Sequence, residues 1–132
     1  MKSFWDAIEH SLEERDHKRL GYYGGNIEKL IKRLKLYNNR YVSTVIVDGK
    51  IITNNQKENI RNFIDEYKND DLTNNFYFAS RVEPFLILLC EILLVNIIVS
   101  YDDKNIYYKN TNCHTKTINF KVTDNILHFL GK

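Results

Sequence analysis

The segment that most constrains this chain is FLILLCEILLVNIIV, residues 85–99. Its first part is apolar nearly all round at helical spacing, so a helix there has no broad polar face to offer water and belongs in the core. Pro84 suits the first turn of that helix, because proline lacks only an amide hydrogen that has no intrahelical partner there. Glu91 and Asn96 interrupt the run well short of the ~20 apolar residues that a membrane span requires. At about Leu94 the pattern changes to VNIIVSY, and NIYYK, TINFKV and NILHFL follow as short β-rich runs separated by DDKN, NTNCHTKT and TDN. The second half therefore reads as a buried helix feeding a small sheet.

The first half reads as helices with one hairpin. From Ser3 to about Arg19, Phe4, Trp5, Ile8 and Leu12 fall at helical spacing, with Ser3 placed as an N-cap and Asp6 and Glu9 in the first turns. GYYGGN breaks that helix. In IEKLIKRLKLY, Ile27, Leu30, Ile31 and Leu34 share one face, while Lys29, Lys32, Arg33 and Lys35 lie elsewhere, which predicts a second amphipathic helix. YVSTVIVDGKIIT places β-branched residues on both sides of Asp48-Gly49, a dipeptide suited to a tight turn, and predicts a hairpin near 45–52. Ile60, Phe63, Ile64 and Tyr67 mark a third helix, with Asn54 or Asn55 as its cap.

The chain's 132 residues and 43% hydrophobic content suffice for one core and are too few for two ordinary domains, so residues 1–132 are expected to form a single domain. Seventeen aromatic side chains (one Trp, nine Tyr, seven Phe) argue against disorder. A formal charge of +2 is too balanced to announce a nucleic-acid or membrane partner. Nucleic acid is further disfavoured because the basic helix 27–37 lacks an aromatic platform, so its charges read as a solvated face. No apolar leader opens the chain, and its two cysteines sit in dissimilar surroundings, which fits a reduced, cytoplasmic setting. Abundant Asn, Lys, Ile and Tyr match coding by an AT-rich genome, as in some viruses, endosymbionts or parasites. There is no zinc-type cysteine spacing, P-loop or GxGxxG, so no metal or cofactor is expected.

Three stretches together carry a family resemblance: Cys90-Glu91 running into Val95, Ile97 and Val99; His128-Phe129 on a later strand; and Phe4-Trp5-Asp6-Ala7-Ile8 at the start. In that order and spacing the chain resembles the ovarian-tumour (OTU) family of cysteine proteases, which cleave ubiquitin. The resemblance implies an α+β, papain-type fold with a small central sheet flanked by helices, the 45–52 hairpin being an addition. It also implies ubiquitin or a ubiquitin-like protein as partner, with Ser3 at the nucleophile position and His128 as its base.

The departures from the family pattern bear on chemistry. A thiol titrates near ~8.5 and can be driven lower at a helix N-terminus, whereas a serine needs a well-oriented general base at the moment of attack. Met1-Lys2 stand where the family has an aspartate-glycine loop, and loss of one oxyanion donor typically costs about 10²–10³ in turnover. Leu130 stands where many members carry an orienting Asn or Asp. The expectation is therefore an impaired hydrolase that binds ubiquitin. The alternatives are an active deubiquitinase whose Ser3 is an engineered or weak nucleophile, and an interaction module that has lost ubiquitin altogether.

Plainer roles stand beside these. Ser3 is a good N-cap, and a histidine at 128 suits a half-buried strand position, with Ile126, His128 and Leu130 on one face and Leu127 and Phe129 on the other. Cys113-His114 are adjacent on a loop and do not make a dyad by adjacency. Cys90 reads as a small apolar residue. Glu91, inside an apolar helix, needs a partner such as Arg81 or a lysine.

Overall fold

The computed structural model describes residues 4–38, 42–68, 83–112, 116–124 and 126–131. Five helices and six strands follow in the order α1 (Phe4–Ser11), α2 (Glu14–Leu20), α3 (Ile27–Tyr37), β1 (Val45–Val47), β2 (Lys50–Ile51), α4 (Asn54–Glu66), α5 (Glu83–Leu93), β3 (Asn96–Tyr101), β4 (Lys104–Asn110), β5 (Thr117–Thr123) and β6 (Ile126–Gly131). The class is α+β.

Helix α5 is the hub of the core. Pro84 through Cys90, Ile92 and Leu93 are all buried, as the all-round apolar pattern requires. The helix ends at Leu94, whose φ of 55° lies in the left-handed region, and the chain turns straight into β3. A non-glycine residue there costs about 1–2 kcal/mol, and Leu94 accepts that strain where glycine is the usual occupant. Val95, Ile97 and Val99 then point inward, each at most 1% exposed.

The strands form one mixed sheet in the order β2-β1-β4-β3-β5-β6. β3 and β5 are parallel, and every other pairing is antiparallel. The hairpin predicted near 45–52 forms, with Asp48 at φ 50° and Gly49 at φ 77°, and β1 pairs with β4, so the hairpin extends the sheet as its edge. A second tight turn, Asp102-Asp103, joins β3 to β4 with both residues at positive φ. Helix α5 packs on β1, β3 and β4, while α2, α3 and α4 pack on α5, and α1 lies against β6 and α3. The described helices thus gather on one face of the sheet.

Three expectations are corrected. The single helix from Ser3 to Arg19 is two helices. Leu12 N–H bonds back to Glu9 at i−3, Glu13 takes an extended conformation, and Asp16 Oδ2 accepts the Glu13 N–H at 3.0 Å, restarting the helix. The break lets Asp16, fully buried, face Lys116 Nζ at 2.9 Å from the strand side of the molecule. Helix α4 is capped by Thr53 and not by Asn54 or Asn55: Thr53 accepts from Gln56 N–H while the Gln56 side chain accepts from Thr53 N–H, a reciprocal capping box. Glu91 finds its partners in the loop before β1, accepting from Ser43 N–H (2.6 Å), Thr44 N–H (2.8 Å) and the Thr44 hydroxyl (2.7 Å). Arg81 lies outside the described residues.

Candidate functional site

Helix α1 is anchored by its apolar side. Trp5 and Phe4 are 0% and 1% exposed and meet edge to face at 4.9 Å, and Trp5 packs edge-on against Phe85 at 4.8 Å. Tyr67 closes the cluster, its hydroxyl accepting from Trp5 Nε1–H at 2.7 Å while its ring packs on Phe85 at 4.9 Å. With that side fixed, the i, i+4 pair Asp6 and His10 is presented on the exposed side of the helix.

Strand β6 runs alongside. Leu127 is buried and Phe129 half-buried toward the core, on the one face that the alternation predicts, whereas His128, expected half-buried, is exposed together with Leu130 because β6 is an edge strand of the sheet. The His10 ring lies 5.9 Å from the Phe129 ring. Between helix and strand is a cleft of about 130 Å³ lined by Asp6, Ala7, His10, Leu127, His128 and Phe129. Segments more than a hundred residues apart in sequence are thereby brought together. Ser3 lies outside the described residues, as do Cys113 and His114. His128 is at the cleft on β6, opposite Lys121 of β5 in the sheet register.

His10 and Asp6 are cleft residues that the sequence reading did not single out as a pair. The available signal was their i, i+4 spacing on the side of the helix away from Phe4, Trp5 and Ile8.

A second polar cluster sits where α1 meets α2 and the GYYGGN loop. The Glu9 carboxylate accepts from the Tyr22 hydroxyl and from Gly25 N–H, and His17 Nε2 lies 3.4 Å from it. Burial, reinforced by the bond to Glu9 and by its charge, pushes the Tyr22 hydroxyl far above the usual tyrosine range. Gly24, at φ +86°, places its backbone against the His17 ring, where a Cβ would come within 2.7 Å of the ring carbon. Glu9 thus ties α1 to the loop instead of serving mainly as a helix-terminal charge.

Cys90 is fully buried, as a small apolar residue would be, and its thiol donates weakly to the Tyr108 carbonyl at 3.9 Å. Among the described residues, no group of three or more His, Cys, Asp or Glu side chains is placed to hold a metal ion. Among the same residues, no helix is long and apolar enough to cross a membrane. What fold and site define is an α+β protein with a narrow cleft between its first helix and its last strand. No protein-family model, curated protein or solved structure matches the chain.

Proposed function

We propose that this chain is an OTU-like protein of the ubiquitin system, impaired as a hydrolase, that acts by binding ubiquitin or a related protein at the cleft between α1 and β6. The observation that supports this most is the juxtaposition itself: α1, which opens one residue after Ser3, lies against the strand that carries His128. A papain-type hydrolase needs its nucleophile helix and its histidine strand side by side, and these two elements are the ones that the resemblance singles out. Burial of Val95, Ile97 and Val99 at the end of α5 fits the helix-to-strand segment of the same resemblance.

The impairment follows from residue chemistry. A serine hydroxyl is activated only by a base held in the correct tautomer and orientation. Here the side chain two residues after His128 is Leu130, 60% exposed and without a hydrogen-bonding group to orient an imidazole. At these positions the chain has Ser3 in place of the thiol and Leu130 in place of the orienting residue. Binding can outlast such losses, because an interface draws on area and shape that turnover does not need. The same reading puts the protein in a reducing, cytoplasmic setting.

Two experiments test this. Titration of the chain with ubiquitin, followed by amide NMR, is expected to move resonances of α1 and β6 around the cleft; no movement there would defeat the reading. Ser3→Cys offered an electrophilic ubiquitin probe asks whether the site is still assembled. An adduct that depends on His128 is expected from a surviving catalytic geometry, and probe binding without an adduct from a binding-only site. Neither binding nor adduct would leave an interaction module outside the ubiquitin system.

A further inference from the structure

The β1–β2 hairpin, α4 and the start of α5 line a groove of about 530 Å³, against about 130 Å³ for the cleft between α1 and β6. That volume falls within the roughly 300–1,000 Å³ of small-molecule sites. Its floor is aliphatic. Ile87 of α5 and Ile52, which leads from β2 toward α4, are 2% and 6% exposed, Val47 and Ile60 are half-buried, and Ile51 stands 83% exposed at the rim. The Thr53 cap starts α4 directly after the hairpin, and Gln56 and Ile60, one turn apart, both reach the groove.

Three charged side chains line this groove: Asp48 in the hairpin turn, Lys50 on β2 and Glu83 in the first turn of α5. Glu83 is half-buried and accepts from the Tyr108 hydroxyl at 2.7 Å, and Asp48 accepts from Tyr107 N–H at 2.8 Å. Among the described residues, neither carboxylate has a lysine or arginine at ion-pairing distance. Their fields converge on one spot: after burial itself, the charges of Glu83 and Asp48 help to keep the Tyr108 hydroxyl protonated. Lys50 is exposed and pairs with neither of them, so the groove sets two carboxylates against one ammonium beside an aliphatic surface.

We propose that this groove binds a small protonated aliphatic amine, with its hydrocarbon part on the isoleucine floor and its ammonium at Glu83 and Asp48. The ammonium supplies the cation that both carboxylates lack, at a half-buried position where attraction is less screened than at an open surface. The hydrocarbon part covers Val47, Ile60 and Ile51, which water otherwise meets. An anionic ligand would face two carboxylates and a single lysine. A peptide strand fits less well, because β2, the edge strand here, is two residues long and gives main-chain pairing almost no ladder. No lining residue is shared with the cleft, so the proposal stands apart from the ubiquitin reading.

The test is an amide-resolved NMR titration of the whole chain at neutral pH with n-hexylamine, repeated with hexanol, hexanoate and a lysine-bearing tripeptide. Shifts at the hairpin turn, Gln56, Ile60, Glu83 and Ile87 are expected, with the amine bound about tenfold more tightly than the alcohol and hexanoate more weakly than either. Glu83→Gln keeps an oxygen to accept from Tyr108, and it is expected to bring the amine down to the level of the alcohol while leaving the alcohol unchanged. Asp48→Asn, on an exposed turn whose φ of 50° asparagine tolerates, repeats that test away from the core and is expected to weaken the amine alone. Lys50→Met removes a like charge and is expected to tighten the amine about twofold. Absence of shifts in the groove, alcohol or hexanoate binding as tightly as the amine, full amine affinity in both carboxylate variants, or tighter binding of the tripeptide would each overturn the proposal.

Discussion

Tyr107 and Tyr108 are neighbours on β4 with opposite fates. Tyr108 is 1% exposed, its hydroxyl donating to Glu83 at 2.7 Å against α5, while Tyr107 is 47% exposed on the bare side of the sheet. The strand period of two alone assigns them, and what each side chain must then do follows from its surroundings. Toward the helices every polar group needs a partner: Asn110, fully buried, donates to the Cys90 carbonyl at 2.8 Å and accepts from Asn112 N–H. Away from them water is the partner, and apolar side chains left there become available to another molecule.

That contrast can be broken by substitution. Tyr108→Ala should cost about 3–5 kcal/mol of stability in denaturant unfolding, the usual toll of emptying a large aromatic site, and a loss below about 1 kcal/mol would mean that the inward face is not a packed core. Lys116→Met should cost about 3 kcal/mol, because it takes from the buried Asp16 carboxylate the nearer of its two cations, at 2.9 Å against 3.9 Å for Arg15 Nε. Asn110→Ala, which strands the Cys90 carbonyl in the core, is expected to cost about 1–3 kcal/mol. At the bottom of the scale, Tyr107→Ser should change stability by no more than about 0.5 kcal/mol, and a larger loss would mean that the outer face is covered.

A pH dependence sharpens the same comparison. Burial, together with the Glu83 charge and hydrogen bond, pushes the Tyr108 hydroxyl far above its ordinary value. The folded protein therefore holds that proton more tightly than the unfolded chain. The associated stability is fully present below about pH 10, where an unfolded tyrosine still keeps its proton, and falls as pH rises beyond it. Tyr108→Phe should flatten the alkaline limb of an unfolding-versus-pH curve relative to the parent, whereas Tyr107→Phe should leave that limb unchanged.

Much of the architecture was legible in the residues. The apolar run 85–99 specified a buried helix and the strand after it, Asp48-Gly49 a hairpin, Pro84 a helix start, and the alternation of β6 the shared inward face of Leu127 and Phe129, although His128, expected half-buried, is exposed. The misses share a cause. The break between α1 and α2 depends on Asp16 being drawn inward by Lys116, a hundred residues later in the chain. Glu91 is satisfied by backbone amides at 43 and 44, which no pattern around Glu91 announces. Of the cleft, His128 was singled out from its strand, whereas the presence of Asp6 and His10 in the same cleft was not.

The sequence by itself determined which segments are helix or strand and which side of each is apolar, because those properties follow from local periods and from the φ each residue tolerates. Only the tertiary structure decided that β3 and β5 run parallel and that the hairpin joins the sheet through β4. Such pairings depend on matching surfaces far apart along the chain, and no window of sequence carries both halves of the match.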